Sequence, residues 1–511
     1  MRTGIVGFLL LVSLVLADEQ IVFRCDFDKP ESIPAGPGRM VTDFQSTPSL
    51  EISLSEPGTA TRSFSIPTEL LKDPYVTLRA VVRADAISAP PNSWNGIKVM
   101  LVLKTEGGTE YPQIPFPTGS FDWKPFVHTF RRPANLKSAT LIVGLEFVKG
   151  TVAFDNLQVA SGRPPRKGLR YNAPFSGHSL DRLRGVMYGP ACRPDDLRNL
   201  ARNWKANQVR WQLNWEPMNQ AEQWAIDLRA YDDWLQGVLK QCDDGIRVCA
   251  EEGLLVLVDL HCPPGGRSNG GVCRLFQDKK YQDYFLDLWP KIALRYKDAP
   301  NVYAFDLLNE AVEGAVAPGL MNWRDLAAEA TRRIRAVDPD RAVVFEPSPW
   351  GAASGFDTLE PLPLQKVIYS FHMYEPSAFT HQTLYNNPGG VVYPGTINGQ
   401  TWNRAHIAEA FRSVREFQTE FNVRIYVGEF SAIRWAPADS ARDWLRDVID
   451  QMEEYGWDWS YHAYREWDGW SVEHGPDRNN HTPAAEPTPR MKLLLDHFSR
   501  NQKPASWNNR Q

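Results

Sequence analysis

At 511 residues the chain is too long for one ordinary domain; at about 150 residues each, two or three are expected. A composition of 43% hydrophobic and 23% charged residues supplies a sizeable core and excludes disorder as the main state. Lys+Arg 56 against Asp+Glu 61 leaves a net charge of −5. With no basic block, that balance argues against nucleic acid or an anionic membrane surface as the principal partner.

In chain order, residues 1–17 read as a secretory leader: Arg2 is the positive start, Ile5 to Leu16 the apolar run, and Leu16-Ala17 the cleavage site before Asp18. The run is shorter than the roughly 20 residues a membrane span needs. No later stretch is longer, so the expectation is a secreted or periplasmic protein with no membrane span. Residues 18–162 carry short alternating or β-branched runs: Ile21-Val22-Phe23, Val76–Val82, Ile97–Leu103, Ala139–Phe147 and Thr151–Val159. Clusters such as Ala35-Gly36-Pro37-Gly38 and Ala89-Pro90-Pro91-Asn92 separate them, which predicts an all-β jelly roll or sandwich. Residues 163–180, opening on Arg163-Pro164-Pro165-Arg166, read as a linker.

Residues 181–502 change pattern. Candidate strands are Gly185–Gly189, Val209–Leu213, Leu254–His261, Val302–Glu310, Ala342–Pro347, Val367–Tyr374, Arg424–Phe430 and Trp457–Tyr464. Helical stretches fall between them at Asp195–Lys205, Tyr231–Glu252, Asp278–Tyr296, Trp323–Val337, Arg404–Phe421 and Ala438–Tyr455, with a vaguer one after Trp350. Strand and helix alternating eight times predict an α/β (β/α)₈ TIM barrel. The rival, a doubly wound open sheet, would carry a Gly-rich phosphate turn after an early strand, and the sequence has none.

Six cysteines match no zinc spacing. Cys242 and Cys249 on one helix would stand about 10 Å apart, beyond disulfide reach. Cys262 and Cys273 flank a Gly-rich loop, either as a disulfide closing it or as free thiols. No cofactor or metal site is read from the sequence. The barrel mouth lacks the His-x-His of metal-dependent hydrolases, since the first strand is Gly185-Val186-Met187-Tyr188-Gly189.

A barrel of this kind builds its active site at the C-terminal ends of its strands. The fourth ends in Asn309-Glu310 and the seventh in Gly428-Glu429. Two carboxylates facing each other there can flank one scissile bond, one protonating the leaving oxygen while the other attacks or activates water. Arg210, His261, His372 and Tyr374 end other strands, where burial without a purpose would be costly.

Over about residues 180–500 the chain resembles glycoside hydrolase family 5, the cellulase-type family of retaining enzymes. The resemblance rests on Val209-Arg210, Asp259-Leu260-His261, Leu308-Asn309-Glu310, His372-Met373-Tyr374 and Gly428-Glu429, in that order. It implies Glu310 as acid/base, Glu429 as nucleophile and Asn309 as the partner of the sugar 2-hydroxyl. Arg210 and Tyr374 would orient Glu429, and His261 and His372 would line the pocket. The match loosens at the eighth strand, where the family places a tryptophan as the floor of the cleaved-sugar subsite. Of the four tryptophans at 457, 459, 467 and 470, Trp467 is assigned that place, with Trp470 second and Trp457 and Trp459 in the core or wall. Glu346, Trp350, Glu375 and His381 are further candidates for substrate contact.

The N-terminal segment is similar to carbohydrate-binding modules through Asp122-Trp123 and the run Thr151–Val159. Trp94, Tyr111 and Trp123 are candidates for a sugar-stacking platform, and Asp155 for a calcium ligand; bracing the barrel is the other role. The expectation is therefore a monomeric, secreted retaining β-glycoside hydrolase taking a polysaccharide or oligosaccharide. A catalytically silent glycan-binding barrel and a transglycosylase are the alternatives.

Overall fold

The computed structural model describes residues 19–29, 33–44, 47–92, 94–215, 225–268 and 270–504. The leader expected at 1–17 lies outside them. The chain divides into two compact units, Met1–Arg166 and Lys167–Gln511.

The first unit is an antiparallel sheet around one apolar core, with Leu50, Val82, Leu101, Leu141, Val152 and Phe154 among its fully buried members. Its longest strand, Ser138–Ser161, joins the two runs expected at Ala139–Phe147 and Thr151–Val159. It pairs with Gln20–Cys25, Thr47–Ile66, Tyr75–Ile87 and Gly96–Lys104. Gly150 keeps the strand continuous: at φ +127° a Cβ there would stand 2.7 Å from the Ala86 carbonyl oxygen. The sequence pattern does not announce strands Thr47–Ile66 and Gly119–Arg131, because exposed and half-buried residues outnumber the buried ones and the polar alternation hides them.

The second unit is a closed barrel of eight parallel strands. In order they are Arg184–Tyr188, Gln208–Gln212, Leu255–Asp259, Val302–Asp306, Ala342–Phe345, Val367–Met373, Arg424–Phe430 and Asp458–Tyr461. Helices Leu228–Glu252, Lys279–Tyr296, Trp323–Arg335, Ser440–Tyr455 and Pro489–Phe498 lie between or after them. The expected helix Arg404–Phe421 divides at Phe411 into Arg404–Ala410 and Arg412–Phe421. After Trp350 only the short turn Ala353–Asp357 forms.

Alternation along each strand sorts its side chains. Leu255, Leu257, Ala304, Ala342, Val344, Ile368 and Tyr426 form a small apolar cluster inside the barrel, separate from the larger cluster packed under the helices. This plug closes the barrel beneath its C-terminal end. Polar residues that follow on the same inward faces, Arg210, Asp259, Asp306 and His372, are thereby delivered to the mouth and kept dry. Trp457 and Trp459 are fully buried, as wall residues should be.

All six cysteines are free thiols. Cys242 and Cys249 are buried on one helix, the Cys262 thiol faces Asn214 Oδ1 at 3.2 Å, and Arg267 donates to Cys273 Sγ. No disulfide closes the Gly-rich loop.

Candidate active site

Arg210, fully buried in the second strand, organises the mouth. Its Nε donates to Asp306 Oδ2 at 3.0 Å and its Nη1 to Glu429 Oε1 at 2.9 Å. Its Nη2 donates to Asn309 Oδ1 at 3.0 Å and Glu346 Oε1 at 2.9 Å, with Asp259 Oδ1 at 3.3 Å. One guanidinium thus meets four carboxylates from the third, fourth, fifth and seventh strands. Only arginine carries enough fixed donors for that. Burial alone would weaken its charge, but those carboxylates outweigh it and hold the guanidinium protonated.

Glu429 ends the apolar run of the seventh strand with its side chain 5% exposed. Tyr374, just past the sixth strand, donates its hydroxyl to Glu429 Oε2 at 2.8 Å. Burial pushes this carboxyl up, yet His372, His462, Arg210 and His261 outweigh that and keep it far below the usual carboxylate range. Glu429 is an anion held on both oxygens.

Glu310 sits four residues beyond the fourth strand, its side chain 25% exposed. Its backbone adopts φ +49°, a left-handed conformation that costs a non-glycine residue roughly 1–2 kcal/mol. Two groups hold it there. Glu346 Oε2 accepts the Glu310 N–H at 2.8 Å, and Arg267 Nη1 donates to the Glu310 carbonyl at 3.0 Å. His372 stands between the two glutamates, with Nδ1 2.9 Å from Glu310 Oε1 and 3.7 Å from Glu429 Oε2. Its Nε2 lies 3.1 Å from Glu346 Oε1. Burial disfavours the imidazolium, but Glu346, Glu429 and Glu310 together raise its pKa well above the ordinary value.

Glu310, His372 and Glu429 offer ligand atoms that all lie within 4.8 Å of one another, a spacing that could suit a metal ion. The donor set does not fit one. Both nitrogens of His372 face carboxylate oxygens, and a protonated imidazole has no lone pair to give.

The structure therefore gathers Arg210, Asn309, Glu310, His372, Tyr374 and Glu429 at one mouth. His261 joins them, with Nδ1 2.7 Å from Asp259 Oδ2 and Nε2 3.3 Å from Asn309 Nδ2. Trp467 stands further out, 39% exposed, its ring 5.5 Å from Trp470, which in turn lies 6.0 Å from Tyr374. The eighth-strand ring that touches the carboxylates is His462, with Nδ1 3.5 Å from Glu429 Oε2. Sequence reasoning passed over His462 and its half-buried partner Glu466. It also treated Glu346 as a substrate contact, whereas that carboxyl is fully buried behind Arg210 and His372. The available signal was position: Glu346 and His462 each directly follow a barrel strand. Trp350 is 43% exposed beside the Glu310 loop, with Arg267 under its ring at 5.1 Å.

In the N-terminal unit Trp94 and Tyr111 are exposed, at 60% and 59%, while Trp123 is partly buried with Arg83 over its ring. Asp155 is buried. Its oxygens accept from Ser49 Oγ at 2.9 Å, Thr47 Oγ1 at 3.3 Å and the Asn156 N–H at 2.6 Å, the arrangement of an internal brace.

A family model described as Cellulase (glycosyl hydrolase family 5) matches residues 170–468. Endoglucanase C of Acetivibrio thermocellus is 27% identical over 252 residues, 44% of this chain and 72% of its own. Cellodextrinase A of Ruminococcus flavefaciens is 27% identical over 222 residues, 42% of this chain and 64% of its own. A crystal structure of a glycoside hydrolase aligns at 23% identity with a TM-score of 0.49, covering 62% of this chain and 99% of that one.

Proposed function

The chain belongs to glycosyl hydrolase family 5, the cellulase family, and from that premise we propose that Glu429 is the nucleophile and Glu310 the acid/base of a retaining hydrolysis. The enzyme is a glycoside hydrolase acting on β-glucans. Supporting retention is one observation above all: the two glutamates bring oxygens within 4.8 Å of each other. Carboxyl groups about 5–5.5 Å apart go with retention, because a gap of about 6.5–9.5 Å is needed to seat an attacking water between them.

In the first step a Glu429 oxygen attacks the anomeric carbon as the glycosidic C–O bond breaks, and Glu310 delivers its proton to the leaving oxygen. In the second, Glu310, now an anion, takes a proton from water. That water displaces Glu429 from the anomeric carbon and restores both carboxyls. Arg210 and Tyr374 keep Glu429 charged and aimed before attack. The Glu346 and Arg267 contacts fix the backbone that carries Glu310. Asn309, tied to Arg210, presents its amide beside the acid/base for the sugar 2-hydroxyl.

Export by the leader at 1–17, action as a monomer, and glycan binding by exposed Trp94 and Tyr111 complete the proposal. Among the described residues no helix is long and apolar enough to cross a membrane. The deciding variant is Glu429→Ala. Turnover of aryl β-glycosides should fall about 10⁴-fold or more with the thermal midpoint within a few degrees of the parent. Near-normal turnover overturns the assignment.

A further inference from the structure

Where the resemblance calls for a flat apolar tryptophan at the end of the eighth strand, this chain carries His462, directly after Tyr461. Resting on Glu429 as the nucleophile, we infer that His462 is an imidazolium clamped by Glu466, and that it acts as a positioning residue setting the charge and hydrogen bonding of Glu429 through Tyr374.

Hydrogen-bond donors are few at this end of the site. Glu429 is a carboxylate and only accepts, so the single Tyr374 O–H is spent on its Oε2. His462 Nδ1 lies in hydrogen-bond contact with the same Tyr374 oxygen. With the hydroxyl proton committed, that oxygen accepts and Nδ1 must carry a hydrogen. On the other side, His462 Nε2 faces Glu466 Oε1 at 3.4 Å. Glu466 Oε2 accepts from Gln212 Nε2 at 2.6 Å, as an ionised carboxylate does. Nε2 must donate as well. A neutral imidazole has one N–H and cannot serve both neighbours; the imidazolium can.

The charged surroundings agree. Around the ring stand Glu429 from the seventh strand, Tyr374 and His372 from the sixth strand and its extension, His381 beyond them, and Glu466 on its own segment. His261 of the third strand acts on Glu466. Burial opposes the charge on His462, but Glu466 and Glu429 outweigh it and raise its pKa. His381, whose Nδ1 faces the Thr380 hydroxyl instead of a carboxylate, is pushed down to about 4 by burial and by the charge of His462.

A cation 3.5 Å from Glu429 Oε2 favours the free carboxylate over its ester. Glu429 becomes a better leaving group from the glycosyl-enzyme and a weaker nucleophile. Losing the cation should therefore slow the second chemical step more than the first. The kcat should fall while KM falls with it, as the covalent intermediate accumulates.

The test uses the full chain labelled with ¹⁵N-histidine, the His462 signals being those lost in His462→Gln. Both ring nitrogens of His462 should be protonated at pH 7, with an apparent pKa above the ordinary value of about 6.5. Glu466→Gln should lower that pKa by about one unit or more. It should move the alkaline limb of kcat on a soluble β-glucan down by the same interval, and Glu466→Asp should restore most of it. A singly protonated His462 at pH 6 in the parent overturns the inference, whether or not Glu466→Gln folds. So does a folded Glu466→Gln with the parental alkaline limb. Neither readout depends on Glu429→Ala, so failure of the nucleophile assignment would be seen separately.

Discussion

Two buried carboxylate–arginine pairs sit at opposite ends of the barrel strands, and their difference separates a brace from the proposed nucleophile. At the start of the eighth strand Asp458 accepts from Arg424 Nε and Nη2, each at 2.7 Å, from the Leu183 N–H at 2.7 Å, and faces His178 Nε2 at 3.4 Å. Burial would raise its pKa, but Arg424 and His178 hold it far below the usual range. At the end of the seventh strand Glu429 is also depressed, but it takes one hydrogen bond from a guanidinium and one from a hydroxyl, with His462 and His372 standing at 3.5 and 3.7 Å from its Oε2. Asp458 spends its lone pairs on the protein. Glu429 Oε1 takes its hydrogen bond from Arg210, and an oxygen of Glu429 lies within 4.8 Å of one on the partly exposed Glu310. A depressed pKa alone does not mark a catalytic carboxylate; nearness to a second, partly exposed carboxyl at the barrel mouth is what separates the two.

The sharpest way to break this comparison is on the Glu310 side. Glu310→Gln should lower kcat/KM on natural β-glucans by about 10²–10⁴-fold. The loss should be much smaller on aryl glycosides whose leaving group needs no proton, and equal losses on both would remove the acid role. Asp458→Asn should do the reverse. Breaking a buried pair costs about 3–5 kcal/mol of stability, read as a lower denaturant midpoint, while kcat/KM of the folded fraction stays near the parent. Because the folded pKa of Asp458 is depressed, its contribution is complete above the unfolded value of about 3.9 and is lost as pH falls below it. The variant should therefore lose less stability than the parent between about pH 4 and pH 2. The smallest effect belongs to Trp467→Ala. An exposed ring offering about 1 kcal/mol of stacking should raise KM about fivefold and leave kcat unchanged. A fall in kcat instead would place that ring at the bond being cleaved.

How far the site was legible depended on how each residue declares itself along the chain. Asn309-Glu310 and Gly428-Glu429 stand out because a charged residue closing an apolar strand is costly to keep unless the barrel mouth uses it. Arg210 stands out on the same grounds, inside Val209-Arg210-Trp211. Glu346 also closes an apolar strand, but adjacency could not tell a residue facing substrate from one buried beneath another glutamate. That distinction lies in the contact between Glu346 Oε2 and the Glu310 N–H, 36 residues apart in the chain. The eighth strand was the hardest. Four tryptophans drew attention to the aromatic candidates, while the residue beside Glu429 is a histidine whose role exists only through Tyr374, Glu466 and Gln212.

By itself the sequence determined the alternation of strands and helices, and hence the barrel, because hydrophobic periodicity is a local property of the chain. It also determined that polar residues gather at the strands' C-terminal ends, where the proposed chemistry sits. Tertiary structure alone decided that four carboxylates share one guanidinium, that His372 stands between Glu310 and Glu429, and that six cysteines remain thiols. The physical reason is range. Burial pattern acts over a few residues, whereas a hydrogen bond selects its partner to a few tenths of an ångström after the strands have closed into a ring.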